Sequence, residues 1–252
     1  MIERNVIGEN DWESVALGNT IEIKSTDGLE VKILNPENIK NVLSQANFSK
    51  PLFIFISGTS ESGKSTFGKL AVKTGIAHRL KIYKTLAEMS GEKGLPEMVD
   101  NPFNYATSIA TNQELVEEVS NKILENYVGL MQQTDIPIAV VETIKHQWMV
   151  EQFRGDSSIR FLSIFIDADL EKRIVRESKK SGKSIDIVRS EVHKKDVMKQ
   201  TLGSEEVENS ADIYISNNGS LESYEDMILS FLKILRSHSI IYSGEAHDYS
   251  LD

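Results

Sequence analysis

The sequence predicts an α/β fold of three layers, a five-stranded parallel sheet with helices on both faces. After Pro51 the apolar residues come in short continuous runs, as strands covered on both faces require. Between those runs lie stretches with helical spacing of their apolar residues. The chain has 252 residues, 40% hydrophobic and 26% charged, which suffices for a sizeable core.

Ahead of the sheet, Ile21, Ile23, Leu29, Val31 and Ile33 alternate with polar residues on either side of Asp27-Gly28, which predicts a β-hairpin with a primed turn. Asn35 and Pro36 then offer an N-cap and a first-turn proline to a short helix whose apolar stripe is Ile39, Val42, Leu43 and Ala46. A hairpin and one helix bury too little to stand alone, so residues 1–50 are expected to pack as an appendage on a main domain over 51–236. Residues 237–252 read as a weakly packed tail. Within the main domain, strands are predicted at Leu52–Ser57, Leu80–Lys84, Pro137–Glu142, Arg160–Asp167 and Asp212–Ser216. Helices are expected near Lys64–Thr74, Ser108–Met131, Gln147–Arg154, Leu170–Lys180, Ser184–Lys199 and Leu221–Leu235.

Composition narrows the function. With 28 basic and 38 acidic residues the net charge is −10, so nucleic acid is a poor default partner. The absence of cysteine removes disulfides, thiolate zinc sites and thiol nucleophiles together. Residues 1–13 mix charges with isolated apolar residues, and no segment approaches the ~18–20 apolar residues of a membrane span. These features predict a cytoplasmic protein without a membrane partner.

Gly58-Thr59-Ser60-Glu61-Ser62-Gly63-Lys64-Ser65-Thr66 matches G-x-x-x-x-G-K-[ST], with an apolar strand before it and a helical pattern after it. Backbone N–H groups of such a loop converge on phosphate oxygens at a helix N-terminus. Lys64 is expected to reach the β- and γ-phosphates of ATP, and Ser65 to place its hydroxyl on Mg²⁺. Glu142, ending an apolar strand, is the candidate second carboxylate for the metal, held through water. Asp167 is its rival, although Asp167-Ala168-Asp169 ahead of a helical stretch reads as an N-cap. No Asn-Lys-x-Asp guanine motif is present; Asn121-Lys122-Ile123-Leu124 lacks the aspartate.

The order of elements around this loop resembles the P-loop kinase superfamily of nucleoside monophosphate kinases, with a P-loop NTPase fold and a helical lid. Val140-Val141-Glu142-Thr143-Ile144-Lys145-His146 is similar to a segment of dephospho-coenzyme A kinases and archaeal adenylate-kinase-like proteins, with Glu142 for Asp and Lys145 for Arg. Phe165-Ile166-Asp167-Ala168-Asp169 with Arg173 and Arg176 resembles the strand and helix leading into the family's lid. Ala211 to Glu222 resembles its last strand and an Asn-x-Gly-[ST]-Leu-Glu turn, so the resemblance places Asn217 and Gly219 near the adenine. It also implies a lid over Glu171–Lys199 whose Arg173 and Arg176, three apart on one helical face, point at phosphate.

The region after the second strand departs from the family. Relatives place an acidic residue there, whereas this chain reads Lys84, followed by Glu88 as a possible base; Arg79 precedes the strand and reads as structural. Gly91–Asn104 is read as an acceptor-binding loop. The sequence therefore predicts a kinase that passes the γ-phosphoryl of ATP to a small nucleotide-like acceptor near residues 79–110, and alternatively an ATP-binding switch without efficient transfer. It gives no oligomeric state.

Overall fold

The computed structural model describes residues 2–4, 7–17, 22–44, 49–92, 112–134, 136–142 and 146–238. Of the acceptor loop expected at Gly91–Asn104, Gly91 and Glu92 end a helix and the rest lies outside the described residues, as do the Thr143-Ile144-Lys145 segment and the tail beyond 238. An eight-stranded sheet runs in the order β1-β2-β3-β8-β7-β4-β6-β5. Its strands are β1 (Ile2–Arg4), β2 (Glu22–Ser25), β3 (Leu29–Ile33), β4 (Leu52–Gly58), β5 (His78–Lys81), β6 (Ile138–Glu142), β7 (Arg160–Asp167) and β8 (Ile213–Asn217). Its helices are α1 (Glu9–Ala16), α2 (Pro36–Val42), α3 (Lys64–Lys73), α4 (Ile82–Glu92), α5 (Gln113–Thr134), α6 (Gln147–Gly155), α7 (Leu170–Ser181), α8 (Ile185–Thr201), α9 (Ser204–Asn209) and α10 (Leu221–Ser237).

The five predicted strands are the contiguous parallel part of this sheet, β8-β7-β4-β6-β5. The expected total of five is corrected to eight, because the hairpin does not merely pack on the sheet. β3 pairs antiparallel with β8, from Leu29↔Asn217 to Ile33↔Ile213, and β1 adds a parallel edge to β2. The hairpin turn also differs from expectation: it spans Thr26–Gly28, with Gly28 N donating to Ser25 O at 3.3 Å, and of these three only Gly28 has positive φ, at 102°. That is a three-residue loop ending in a left-handed glycine, not a primed pair.

Side-chain alternation accounts for the two kinds of strand. In β4, Leu52, Ile54 and Ile56 enter a core with α1, α2, α3 and α10, while Phe53 and Phe55 enter a second core with α4, α5 and α6. Covered twice, β4 can be apolar throughout. The hairpin is covered once: Ile23, Leu29, Val31 and Ile33 face the first core. Its other face carries Glu30 between Lys24 at 3.2 Å and Lys32 at 3.0 Å.

β5 is shorter than predicted and starts earlier. Ile82, Leu86 and Met89 recur at helical spacing and are buried, so helix α4 claims the end of the apolar run read as strand. The N-cap at Asn35 is present, its side chain accepting from Asn38 N at 3.2 Å. In α7 and α8, Ile174, Val188 and Val192 form a small core of their own, separate from the two beside the sheet.

β4 has β6 on one side and β7 on the other, and the chain leaves it in one direction for α3 and β5 before crossing back to β7. Such a switch in direction opens a crevice outside the carboxyl ends of the strands. The phosphate-loop motif lies there, directly after β4.

Phe55 is 1% exposed and packs tilted against Phe153 and edge-on against Phe161, at ring-centroid distances of 4.4 and 5.0 Å. Phe55→Ala is expected to cost about 3–5 kcal/mol, lowering the urea midpoint with little change in slope.

Candidate functional site

The loop is built by close backbone approach. Gly58 has φ 132°, and a Cβ there would lie 1.9 Å from the carbonyl oxygen of Ile166 in β7. Only glycine tolerates both conditions. Thr59 N donates to the same carbonyl at 3.2 Å, and Thr59 Oγ1 donates to Asp167 Oδ1 at 2.7 Å. Asp167 therefore anchors the loop, with Tyr214 OH on its other oxygen at 3.3 Å, and the N-cap position of α7 belongs to Asp169. Glu61 then takes φ 60° and Gly63 φ 111°, turning the chain into α3. A Cβ on Gly63 would meet Asn217 Nδ2 at 2.6 Å and Tyr224 Cε1 at 2.8 Å.

The loop's carbonyls are taken by donors from elsewhere. Asn217 Nδ2 donates to Ser62 O at 2.8 Å and Tyr224 OH to Gly63 O at 3.2 Å. Arg173 Nη1 donates to Ser60 O at 2.9 Å, Lys199 Nζ to Gly58 O at 2.8 Å, and Lys64 Nζ to both Gly58 O at 3.2 Å and Thr59 O. Burial lowers the Lys64 ammonium to about 8, against the opposing pull of neighbouring carboxylates. The N–H groups are treated differently. Ser60 N donates to Asp196 Oδ1 at 3.0 Å, while those of Glu61, Ser62, Gly63, Lys64 and Ser65 have no acceptor among the described residues. Five successive amides at a helix N-terminus, next to a lysine, are an arrangement that can receive an anion.

Beneath the loop lies a buried ion pair. Arg79 and Glu142, each 1% exposed at the side chain, meet through Nε–Oε1 at 2.6 Å and Nη2–Oε2 at 3.0 Å. Arg79 thus lies within β5 rather than before it. Gly68 of α3 leaves the room, since a Cβ there would come within 2.0 Å of Glu142 Oε1. Ser65 Oγ donates to Glu142 Oε2 at 3.3 Å, which leaves its lone pairs for a cation. The donor set fits one direct hydroxyl ligand with a carboxylate behind it, as Mg²⁺ with several retained waters requires. No cluster of three or more carboxylate or histidine ligands occurs among the described residues.

Of the two predicted lid arginines, Arg173 is brought to the loop and Arg176 to the turn after β8, and both are occupied. Arg173, buried, donates from Nε to Ala168 O at 2.8 Å and pairs through Nη1 with Asp196 Oδ2 at 2.6 Å. Asp196 thus bridges the lid arginine and the loop amide; burial opposes its charge, yet Arg173 and the Ser60 N–H hold its carboxyl below the ordinary range. Arg176 donates to Asn217 O at 2.9 Å and Gly219 O at 2.8 Å. Lys195 holds Glu61 at 3.1 Å, closing α8 onto the loop. Asn217 is 4% exposed, and its Oδ1 is buried without a donor among the described residues. Gly219 is needed for a neighbour within the fold: a Cβ there would lie 2.8 Å from Asp27 Oδ1.

Sequence reasoning missed Asp196 and Tyr224, and read Lys199 only as one cation of the lid stretch, Asp27 only as a turn residue and Arg79 without its partner; no local spacing marks the contacts they make. Lys84, expected at the end of a strand, lies inside α4 and lines a cleft of about 330 Å³ with Lys81, Glu88 and Asn126. Glu88 Oε2 there accepts from Asn126 Nδ2 at 3.2 Å. No helix among the described residues is long and apolar enough to cross a membrane.

No protein-family model and no curated protein matches the sequence. Among solved structures, the chain is similar to TT1252 from Thermus thermophilus at 21% identity, over 73% of this chain and 98% of that one, with TM-score 0.47. It is similar to the shikimate kinase of Acinetobacter baumannii solved with shikimate at 12% identity, over 78% and 99%, with TM-score 0.43. For the dephospho-CoA kinase of Campylobacter jejuni the values are 16%, 73% and 97%, with TM-score 0.41.

Arg79→Ala would strand the Glu142 carboxylate in the interior. The expected loss is about 3–5 kcal/mol of unfolding free energy by urea denaturation, with much of it recovered in the Arg79→Ala/Glu142→Gln double variant.

Proposed function

We propose that this protein is an ATP- and Mg²⁺-dependent small-molecule kinase, transferring the γ-phosphoryl group to a nucleotide-like acceptor. The observation that carries the proposal is the row of amides from Glu61 to Ser65 without acceptors among the described residues, closed beneath by the Lys64 ammonium. A polyphosphate supplies the oxygens such a row lacks. ATP is favoured over GTP because no guanine motif is present in the sequence.

In this reading Lys64 exchanges its bonds to loop carbonyls for the β- and γ-phosphates. Ser65 holds Mg²⁺ through its hydroxyl, and Glu142 orients that hydroxyl while itself neutralised by Arg79. Bound Mg²⁺ supplies neutralisation of charge on the transferring group. Arg173 becomes available to phosphate when Asp196 is replaced at its guanidinium, and Arg176 acts by holding the turn at Asn217 and Gly219. The acceptor is assigned to the side of β5 and α4, where Lys81 stands opposite Glu142 in the strand register. Phosphoryl transfer relies chiefly on positioning and charge neutralisation, so an acceptor site without the family's acidic residue is compatible with it.

ADP release with Mg²⁺ is expected to rise for one member of a panel of nucleoside monophosphates, deoxynucleoside monophosphates, nucleosides and dephospho-coenzyme A. Lys64→Ala should abolish it while leaving the melting curve cooperative. ATP binding without stimulation by any acceptor would replace the kinase with the switch.

Charge on Lys64 also sets a pH dependence. With an ammonium near 8 in the free protein, affinity for inorganic triphosphate should be highest below that pH and fall between pH 8 and 9.5. Lys64→Met should bind weakly and show no such fall by calorimetry.

A further inference from the structure

The phosphate loop is supported from a part of the chain that carries no phosphate-binding motif, the N-terminal hairpin. At the hairpin turn, Asp27 Oδ2 accepts from Ser220 N at 2.7 Å and from Ser223 Oγ at 2.5 Å, both at the start of α10. Asp27 Oδ1 accepts from Ser25 Oγ within the hairpin itself. The carboxylate is held well below its ordinary range: burial opposes this, but the Ser220 N–H and the Ser223 and Ser25 hydroxyls outweigh it. An anion at a helix N-terminus also has the favourable end of the helix dipole.

Those contacts fix a turn whose residues reach into the loop. The residues before Ser220 are held by Arg176 through Asn217 O and Gly219 O, and by the Leu29↔Asn217 register of β3 and β8. Asn217 donates to Ser62 O, and Tyr224, in the first turn of α10, donates to Gly63 O, which also accepts from Thr66 N at 3.0 Å and Phe67 N at 3.2 Å. Ser62 and Gly63 lie in the middle of the amide row. A donor fixed behind each carbonyl sets the plane of its peptide, and with it the direction of the following N–H.

We propose that Asp27 is a positioning residue of the phosphate site: by docking the hairpin on α10 it holds Asn217 and Tyr224 against the loop and keeps the amides of Gly63 and Lys64 aimed at a bound polyphosphate. The proposal rests on the phosphate-site reading above and adds that the site is incomplete without the hairpin. It makes the N-terminal fifty residues part of the ligand-binding unit rather than an addition to it.

The test is calorimetric binding of inorganic triphosphate and of ATP to the full chain and three variants. Asp27→Ala should weaken both ligands on the order of tenfold, within the range a lost N-terminal cap costs. Asp27→Asn, which still accepts from Ser220 N, should recover most of that loss. Val42→Ala, a truncation of a side chain 1% exposed in α2, provides a destabilised reference without contact to the turn. It should lower the melting temperature and leave triphosphate affinity unchanged. Unchanged affinity in Asp27→Ala, or equal losses in Asp27→Ala and Val42→Ala, would overturn the proposal. If Asp27→Ala does not fold, Ser223→Ala decides, since it removes one Asp27 contact and should weaken triphosphate in the same direction; full affinity there would equally overturn it. A wild-type chain that binds neither ligand would instead remove the phosphate-site reading, and this proposal with it.

Discussion

A loop that turns its amide hydrogens toward an anion must turn its carbonyl oxygens away, and each of those oxygens then needs a donor. Much of the architecture around β4 follows from this constraint. Gly58 O is taken by Lys64 and Lys199, Thr59 O by Lys64, Ser60 O by Arg173, Ser62 O by Asn217 and Gly63 O by Tyr224. The donors come from α3, α7, α8, β8 and α10. Because they sit on separate elements, the loop's conformation depends on how the whole C-terminal half is assembled on the sheet.

The second constraint is a buried charge. The Glu142 carboxylate would be costly in the interior alone, and Arg79 on the neighbouring strand answers it with two hydrogen bonds. The pair fastens the register of β5 against β6. It also decides how closely α3 can approach, through Gly68, and which way the Ser65 hydroxyl faces. A residue that the sequence offers as a metal carboxylate is therefore first a structural partner of arginine.

What could be read from the sequence was local. The parallel strands were legible because a continuous apolar run too short for a buried helix fits a strand covered on both faces, and the loop because all its residues lie within nine positions. Boundaries failed where two patterns overlapped, as at Ile82, which continues an apolar run and also begins the helical series Ile82, Leu86, Met89. Three-residue β1 and the short helices α1 and α9 left no signal above background. Pairings across distance were invisible: nothing near Leu29 names Asn217, and nothing near Arg79 names Glu142. Arg173 reaches the loop at Ser60 O, yet its partner Asp196 lies on the next helix, and helical spacing carries no information about that. Gly219 was recognised as a turn residue, while the reason for it, Asp27, sits in the hairpin.

The Asp196 carboxylate on the Ser60 amide gives the loop a sense of length. An ion short enough to be satisfied by the amides from Glu61 to Ser65 would leave Asp196 in place between Ser60 and Arg173. One that extended to Ser60 would compete with that carboxylate for the amide and loosen the bridge between α7, α8 and the loop, while Arg173 keeps its bonds to Ala168 O and Ser60 O. Free inorganic phosphate and a nucleotide tail would thus be told apart less by how strongly either is attracted than by how far along the loop each reaches.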